Sequence, residues 1–248
     1  MPFNTGDKQP NMGILNISLL IVALNLRARH RSFTQSRKIK IYPAIKRIAE
    51  TVLSVIILIL LTPMFLLITL AIRWDSSGSA LFRQTRIGKN GKPFTCYKFR
   101  TMYEDIDRKA HDRFLTAYVN GDIHAGSNGR SVFKPIGDKQ ITRVGRFLRK
   151  TSLDEAPQII NIIKGDMSFI GPRPNIPTEV EAYQDWHRKR LEVLPGITGL
   201  AQIRGRSSIP FDQIVRYDVE YVENESLKMD LHILWHTVPT VLLGSGAE

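Results

Sequence analysis

The apolar positions of this chain first form one long unbroken run. From Thr51 to Ile72 the sequence reads TVLSVIILILLTPMFLLITLAI, 22 residues without a charge. As a helix that run rises about 33 Å, the depth of one bilayer core. A soluble helix of this length would carry a polar stripe, so the pattern predicts a membrane helix. Pro63 sits mid-run, where it removes a backbone donor and kinks the helix. The hydroxyl of Thr62 offers a bond to a freed carbonyl where no water is at hand. Two paths fit: a kinked span, or a re-entrant helix that enters and leaves on one face. A second apolar run, Gly13 to Leu26, has 14 residues and contains Asn16. It is short for a span and lacks the basic lead of a secretory signal, so an interfacial helix or a plain extension is expected.

Beyond Trp74 the pattern changes to short alternating and helical periods. LFRQTRI (Leu81–Ile87) and PFTCYKF (Pro93–Phe99) read as strands, and the Asn90-Gly91 pair between them predicts a hairpin. Tyr103 to Gly137 reads as a polar, Gly-rich loop with a helical lead-in at residues 105–118. Ile141, Val144, Leu148 and Thr151 share one helical face. Pro157–Lys164 reads as a short helix closed by Gly165. Val180, Tyr183, His187 and Leu194 track another, ended by Pro195-Gly196. Two more helices are expected near Pro210–Val222 and Met229–Leu242. The class is α+β: a mostly helical domain with a small β-hairpin behind a membrane helix.

Charge sharpens the membrane reading. The chain has 248 residues and a net charge of +12, of which residues 1–50 carry +7. Arg27, Arg29, Arg31, Arg37, Lys38, Lys40, Lys46 and Arg47 precede the apolar block; Arg73, Arg83, Arg86, Lys89, Lys92, Lys98 and Arg100 follow it. A spanning helix leaves its basic excess on one side. Here both flanks are basic, which a re-entrant helix explains. Because the excess lies beside the membrane segment, nucleic acid is not the expected partner. The single Cys96 excludes an internal disulfide.

Several chemistries lack their signatures. There is no phosphate-binding G-x-x-x-x-G-K-[ST] and no G-x-G-x-x-G. His232 and His236 have Ile233 where a zinc protease needs Glu, and no nucleophile elbow occurs. What remains is Arg143-x-x-Arg146-x-x-Arg149-Lys150-Thr151-Ser152-Leu153-Asp154-Glu155, a basic helix running into adjacent carboxylates. Ser152-x-x-Glu155 has the form of a capping box. Pro157, however, would then fall inside the helix, which favours Asp154 and Glu155 in a lead-in turn. Cations neutralise phosphate oxygens, and carboxylates bind Mg²⁺ or attack phosphorus. The cluster therefore suits phosphoryl chemistry, with structural ion pairing as the plain alternative.

Long collinear segments carry a resemblance. RQTRIGKNGKPFTCYKFRTM (Arg83–Met102), ITRVGRFLRKTSLDEAPQIINIIKGDMSFIGPRP (Ile141–Pro174), LPGITGLAQIRGRS (Leu194–Ser207) and YDVEYVENESLKMDLHIL resemble the bacterial sugar transferase family, the monotopic polyprenyl-phosphate sugar-1-phosphate transferases. The likeness covers roughly residues 43–244. It implies transfer of a sugar-1-phosphate from a UDP-sugar to undecaprenyl phosphate, with release of UMP. It implies Asp154 as nucleophile, Glu155 as a Mg²⁺ ligand, and Lys98, Arg149, Arg173 and Arg206 as substrate-binding cations. Thr62-Pro63, in place of the usual Ser-Pro, is the implied break of a re-entrant helix. Glu50 stands where Asp is common, and Asp138-Lys139-Gln140 replaces Asp-Pro-Arg.

The implied organisation is a basic extension (residues 1–44), a re-entrant membrane helix (45–73) and a cytoplasmic catalytic domain (74–248) at the bacterial inner membrane. Residues 1–40 have no counterpart in the smallest members of the family. Membrane lipids are expected partners, through segments near Trp186–Leu191 and Met229–Leu242, and a second copy or downstream glycosyltransferases are candidates. The competing reading is an inactive membrane-anchored binding or scaffold protein of the same fold.

Overall fold

The computed structural model describes residues 12–103, 115–122, 140–205 and 209–242, with side chains described from Ile41 to Val238. Residues 1–45 and 46–248 form two units, and every strand belongs to the second. Helix α1 (Met12–Asp75) carries the apolar block, and it continues through Thr62 and Pro63. Its Ile41–Asp75 portion has a mean hydropathy of 2.9 over its most apolar window, of which only 6% is buried. Ile59, Leu60, Leu66, Leu67 and Leu70 are all exposed. A core helix would be covered by its own protein, whereas this one needs an apolar surround. The Thr62 hydroxyl donates to Leu58 O at 2.7 Å. The carbonyl that proline deprives is that of Ile59, one position on.

The hairpin forms as expected: β1 (Leu81–Ile87) pairs antiparallel with β2 (Pro93–Phe99). The turn between them is a 3₁₀ turn at Lys89–Gly91, with Asn90 at φ 57° and Gly91 at φ 74°. Residues 115–119 are helical and bury Leu115, Tyr118 and Val119; residues 104–114 and 123–139, covering most of the expected loop and lead-in, lie outside the described residues. Helix α2 (Arg143–Lys150) follows. Two side chains cap it: Thr142 Oγ1 accepts from Gly145 N–H at 2.9 Å, and Asp75, at the end of α1, accepts from Val144 N–H at 2.8 Å. These bonds satisfy donors that an open helix end leaves orphaned.

Ser152 then takes a left-handed conformation (φ 57°) and makes no cap hydrogen bond, so the capping box does not form. A 3₁₀ turn, Leu153–Gln158, carries Asp154 and Glu155 into α3 (Ile159–Lys164), which ends at left-handed Gly165. Next come β3 (Ser168–Ile170), α4 (Pro177–Glu181), a 3₁₀ segment Asp185–Glu192, and β4 (Gly196–Thr198), parallel to β3. The expected single helix through Val180 and Leu194 is thus a short helix and a 3₁₀ segment. Val180, Tyr183 and His187 nonetheless face one core, with Phe211 and Val215. The chain closes with α5 (Leu200–Arg204), α6 (Phe211–Asn224) and α7 (Leu227–Leu242).

Charges next to the membrane helix are drawn inward. Lys46 Nζ bonds Tyr221 Oη at 2.7 Å and Ile170 O at 3.2 Å, and pairs with Asp230 at 2.9 Å and Glu225 at 3.3 Å. Arg47 donates to Ile162 O and Ile163 O at the end of α3. Glu50 accepts from Ser168 Oγ at 2.7 Å and Phe169 N–H at 3.1 Å. Arg100, only 6% exposed, donates to Ser76. Lys46, Arg47 and Arg100 are thereby tied into contacts within the domain. In the Trp186–Leu191 segment, Trp186 and Arg188 are exposed, while other side chains turn inward. His187 and Arg190 are buried, Lys189 pairs with Glu223, and Arg216 stacks on Trp186. On α7, by contrast, Leu227, Leu231, Leu234, Trp235 and Val238 form an exposed stripe.

The backbone just after β2 packs on α2 at Gly145, where an added Cβ would lie 2.1 Å from Thr101 O. Backbone cannot yield there as a side chain can. Gly145→Ala is expected to destabilise the domain by about 2 kcal/mol or more, read as a lowered melting temperature of the full chain in nanodiscs. An unchanged melting temperature would show that the contact is loose.

Candidate active site

Three separate pieces of chain meet at one carboxylate oxygen. β2 supplies Lys98, whose Nζ lies 2.6 Å from Glu155 Oε1. The 171–175 loop supplies Arg173, whose Nη2 lies 3.0 Å from the same atom. The 3₁₀ turn supplies Glu155 itself, with 18% of its side chain exposed. Burial opposes ionisation of Glu155, but Arg173 and Lys98 outweigh it and hold the carboxyl well below the usual range. Each charge-assisted bond contributes about 1.5–3 kcal/mol. Its other oxygen, Oε2, takes no hydrogen bond among the described residues.

Asp154, the next residue, has the opposite environment. Burial is the largest influence and raises its pKa; Lys98, Arg149 and Arg173 act against that, and Glu155 adds to it. No cation lies within ion-pair distance of it among the described residues. Two adjacent carboxylates are thus differentiated: one is neutralised by direct contacts, the other is half-buried in a positive field without a direct partner. Carboxylates separated in this way can take different roles.

The lysine is aimed by an asparagine. Asn161, fully buried, donates from Nδ2 to Thr95 O at 2.6 Å and accepts at Oδ1 from Tyr97 N–H at 3.1 Å. It fastens β2 to α3 immediately beside Lys98. Arg149 is held from behind: its Nε donates to Thr101 Oγ1 at 3.0 Å, and burial lowers its pKa while Asp154 raises it. The structure therefore brings together Lys98, Asp154, Glu155 and Arg173, with Arg149 alongside. Arg206 lies outside the described residues. Thr62 and Pro63 belong to the membrane helix and not to this cluster.

Asn161, Arg86 and Arg190 were not among the expected site residues. Arg86 and Arg190 had the look of surface charge in basic stretches, yet both contact the loop that carries Arg173. A buried Asn in the apolar run IINIIK was the one available signal, because such a residue needs several partners.

No three His, Cys, Asp or Glu side chains converge among the described residues. Mg²⁺ commonly binds through one or two carboxylates completed by substrate phosphates and water. Asp154 and the open Oε2 of Glu155 fit that arrangement.

The bacterial sugar transferase family matches residues 41–244. The exopolysaccharide production protein ExoY of Sinorhizobium fredii is 40% identical over 202 residues, 82% of this chain and 87% of that protein. The undecaprenyl-phosphate galactose phosphotransferase of Salmonella typhimurium is 40% identical over 203 residues, covering 82% of this chain and 41% of that protein. The UDP-glucose:undecaprenyl-phosphate glucose-1-phosphate transferase of Caulobacter vibrioides is 37% identical over 211 residues, 82% of this chain and 71% of that protein. The chain belongs to the bacterial sugar transferase family and is a sugar-phosphate transferase.

Proposed function

We propose that this enzyme transfers a sugar-1-phosphate from a UDP-sugar to undecaprenyl phosphate, releasing UMP and forming a polyprenyl diphosphate sugar. The reaction would be the first membrane step of exopolysaccharide, capsule, O-antigen or glycoprotein glycan assembly. The observation that carries the reading is the contrast between Glu155, ion-paired to Lys98 and Arg173, and half-buried Asp154 beside it, which has no ion-pair partner among the described residues. The similarity to transferases named for undecaprenyl phosphate supports the acceptor.

In the first half-reaction, an Asp154 carboxylate oxygen attacks the phosphorus bonded to the sugar. The P–O bond to UMP breaks, and UMP leaves with the electron pair. In the second, a phosphate oxygen of the lipid attacks that phosphorus, the Asp154–phosphorus bond breaks, and the carboxylate is restored. Lys98 and Arg173 face the phosphate oxygens and reduce the repulsion between the anionic donor and the attacking carboxylate. Arg206 and Arg149 complete the basic surround, with Arg149 held by Thr101. Mg²⁺, held by Glu155 and Asp154, would neutralise diphosphate charge when bound.

The domain works at the cytoplasmic face of the inner membrane on a re-entrant helix that bends at Thr62-Pro63, with the exposed stripe of α7 resting in the lipid headgroup region. Trp235 on that stripe suits such an interface. Residues 1–44 precede this anchor as a basic extension.

Purified protein incubated with undecaprenyl phosphate and a panel of UDP-sugars should release UMP with one or a few of them. Asp154→Asn should lower turnover by about three or more powers of ten while leaving membrane insertion intact. EDTA should stop the reaction. An Asp154→Asn protein that turns over normally contradicts the reading, and a protein inactive with every donor supports the scaffold alternative. Topology is tested separately. Cysteines placed at Tyr42 and Trp74 should both resist an impermeant thiol reagent in spheroplasts and react after lysis. Labelling of one end from outside would establish a span.

A further inference from the structure

The segment Gly171-Pro-Arg-Pro-Asn175 has a backbone problem. Pro172 and Pro174 have no N–H, so the loop cannot build its own hydrogen-bond ladder. Its polar groups are instead satisfied residue by residue from outside. Gly171 N–H donates to Thr198 O at 2.9 Å, and Pro172 O accepts from Gly196 N–H at 2.9 Å. Arg173 O accepts from Arg190 Nη2 at 3.1 Å, Pro174 O from Arg86 Nη1 at 2.9 Å, and Asn175 O from Ile87 N–H at 2.9 Å.

The two guanidinium groups are themselves fixed. Arg190, with its side chain 2% exposed, pairs with Asp218 at 2.6 Å, and its Nη1 donates to Tyr183 Oη at 2.9 Å. Arg86 donates from Nε and Nη2 to Gln84 Oε1 at 3.1 and 2.7 Å. Each planar fork is thereby held by neighbouring side chains, Asp218 and Tyr183 for Arg190 and Gln84 for Arg86, while it also grips a loop carbonyl. The side chain of Arg173, in contrast, is half exposed. An exposed arginine loses entropy when ordered alone. Here its backbone is immobilised on both sides of the Arg173-Pro174 bond, so little disorder remains to be removed when it meets Glu155.

The geometry points to Arg86 and Arg190 as positioning residues for the phosphoryl transfer: they clamp the carbonyls of Pro174 and Arg173 and so hold the Arg173 guanidinium at Glu155 and the donor's diphosphate. This rests on the proposed function. A purely structural role, with Arg190–Asp218 joining the 3₁₀ segment Asp185–Glu192 to α6, is the competing account.

Lysine at either position keeps the charge but cannot span the partners. The test is a double-mutant cycle in the full chain in nanodiscs. Arg190→Lys, and independently Arg86→Lys, should lower kcat roughly tenfold to a hundredfold in an otherwise native enzyme, the scale expected for a displaced positioning group. In an Arg173→Ala background each should add less than about twofold, because the group they place is gone. Equal losses in both backgrounds, or no loss, overturn the proposal. Hydrogen exchange over residues 168–176 supplies a readout independent of activity. It should accelerate in both lysine variants, and unchanged exchange also overturns the clamp. A native enzyme inactive with every UDP-sugar overturns the proposed function, leaving the exchange measurement to decide whether the clamp exists.

Discussion

The site depends on one crowded oxygen. Glu155 Oε1 receives Lys98 from a hairpin and Arg173 from a proline-rich loop, while Glu155 itself sits on a 3₁₀ turn between two helices. Without that carboxylate, two cations in close proximity would repel each other. Without the cations, a carboxylate with little solvent access would take up a proton. Each element therefore needs the others. The supports around them are directed at this point: Asn161 fixes β2 beside Lys98, and Arg190 and Arg86 fix the loop beneath Arg173.

A second constraint couples this cluster to the membrane helix. Lys46, Arg47 and Glu50 lie on the first turns of the second unit, and all three bond into the domain. Arg47 closes the carbonyl end of α3, the helix after the Asp154-Glu155 turn, while Glu50 holds β3 just ahead of the Arg173 loop. At the other end, Asp75 caps α2. The apolar helix is thus joined to the domain at both ends by polar bonds, and its exposed apolar flank is left for lipid. These bonds tie the elements around the carboxylate pair to the foot of the apolar helix.

Much of this was legible in the sequence. The hairpin announced itself through two alternating runs around Asn90-Gly91, and Pro157 correctly argued against a capping box at Ser152. The Asp154-Glu155 pair stood out because cations and adjacent acids share one short stretch. Other parts were hidden for identifiable reasons. β3 and β4 have three residues each, too few for a period, and their pairing relies on the close approach of Gly171 and Gly196, which only the fold brings together. The 3.6-residue spacing of Val180, Tyr183 and His187 reported burial correctly, but it did not distinguish one helix from a helix and a 3₁₀ segment. Lys46, Arg86 and Arg100 read as basic flanks of the membrane helix, and Arg190 as part of a segment expected at the lipid surface. A linear sequence does not show that an arginine's partners are carbonyls of a distant proline-rich loop.

The central claim is that the less tightly held carboxylate, Asp154, carries the phospho-sugar between donor and acceptor. The direct measurement is mass spectrometry of the enzyme mixed with its UDP-sugar in the absence of lipid acceptor. The account predicts release of UMP and a sugar-phosphate adduct on the peptide containing Asp154, discharged when undecaprenyl phosphate is added. No adduct, with UMP appearing only after the lipid is present, would contradict it and would mean that the lipid phosphate attacks the donor directly.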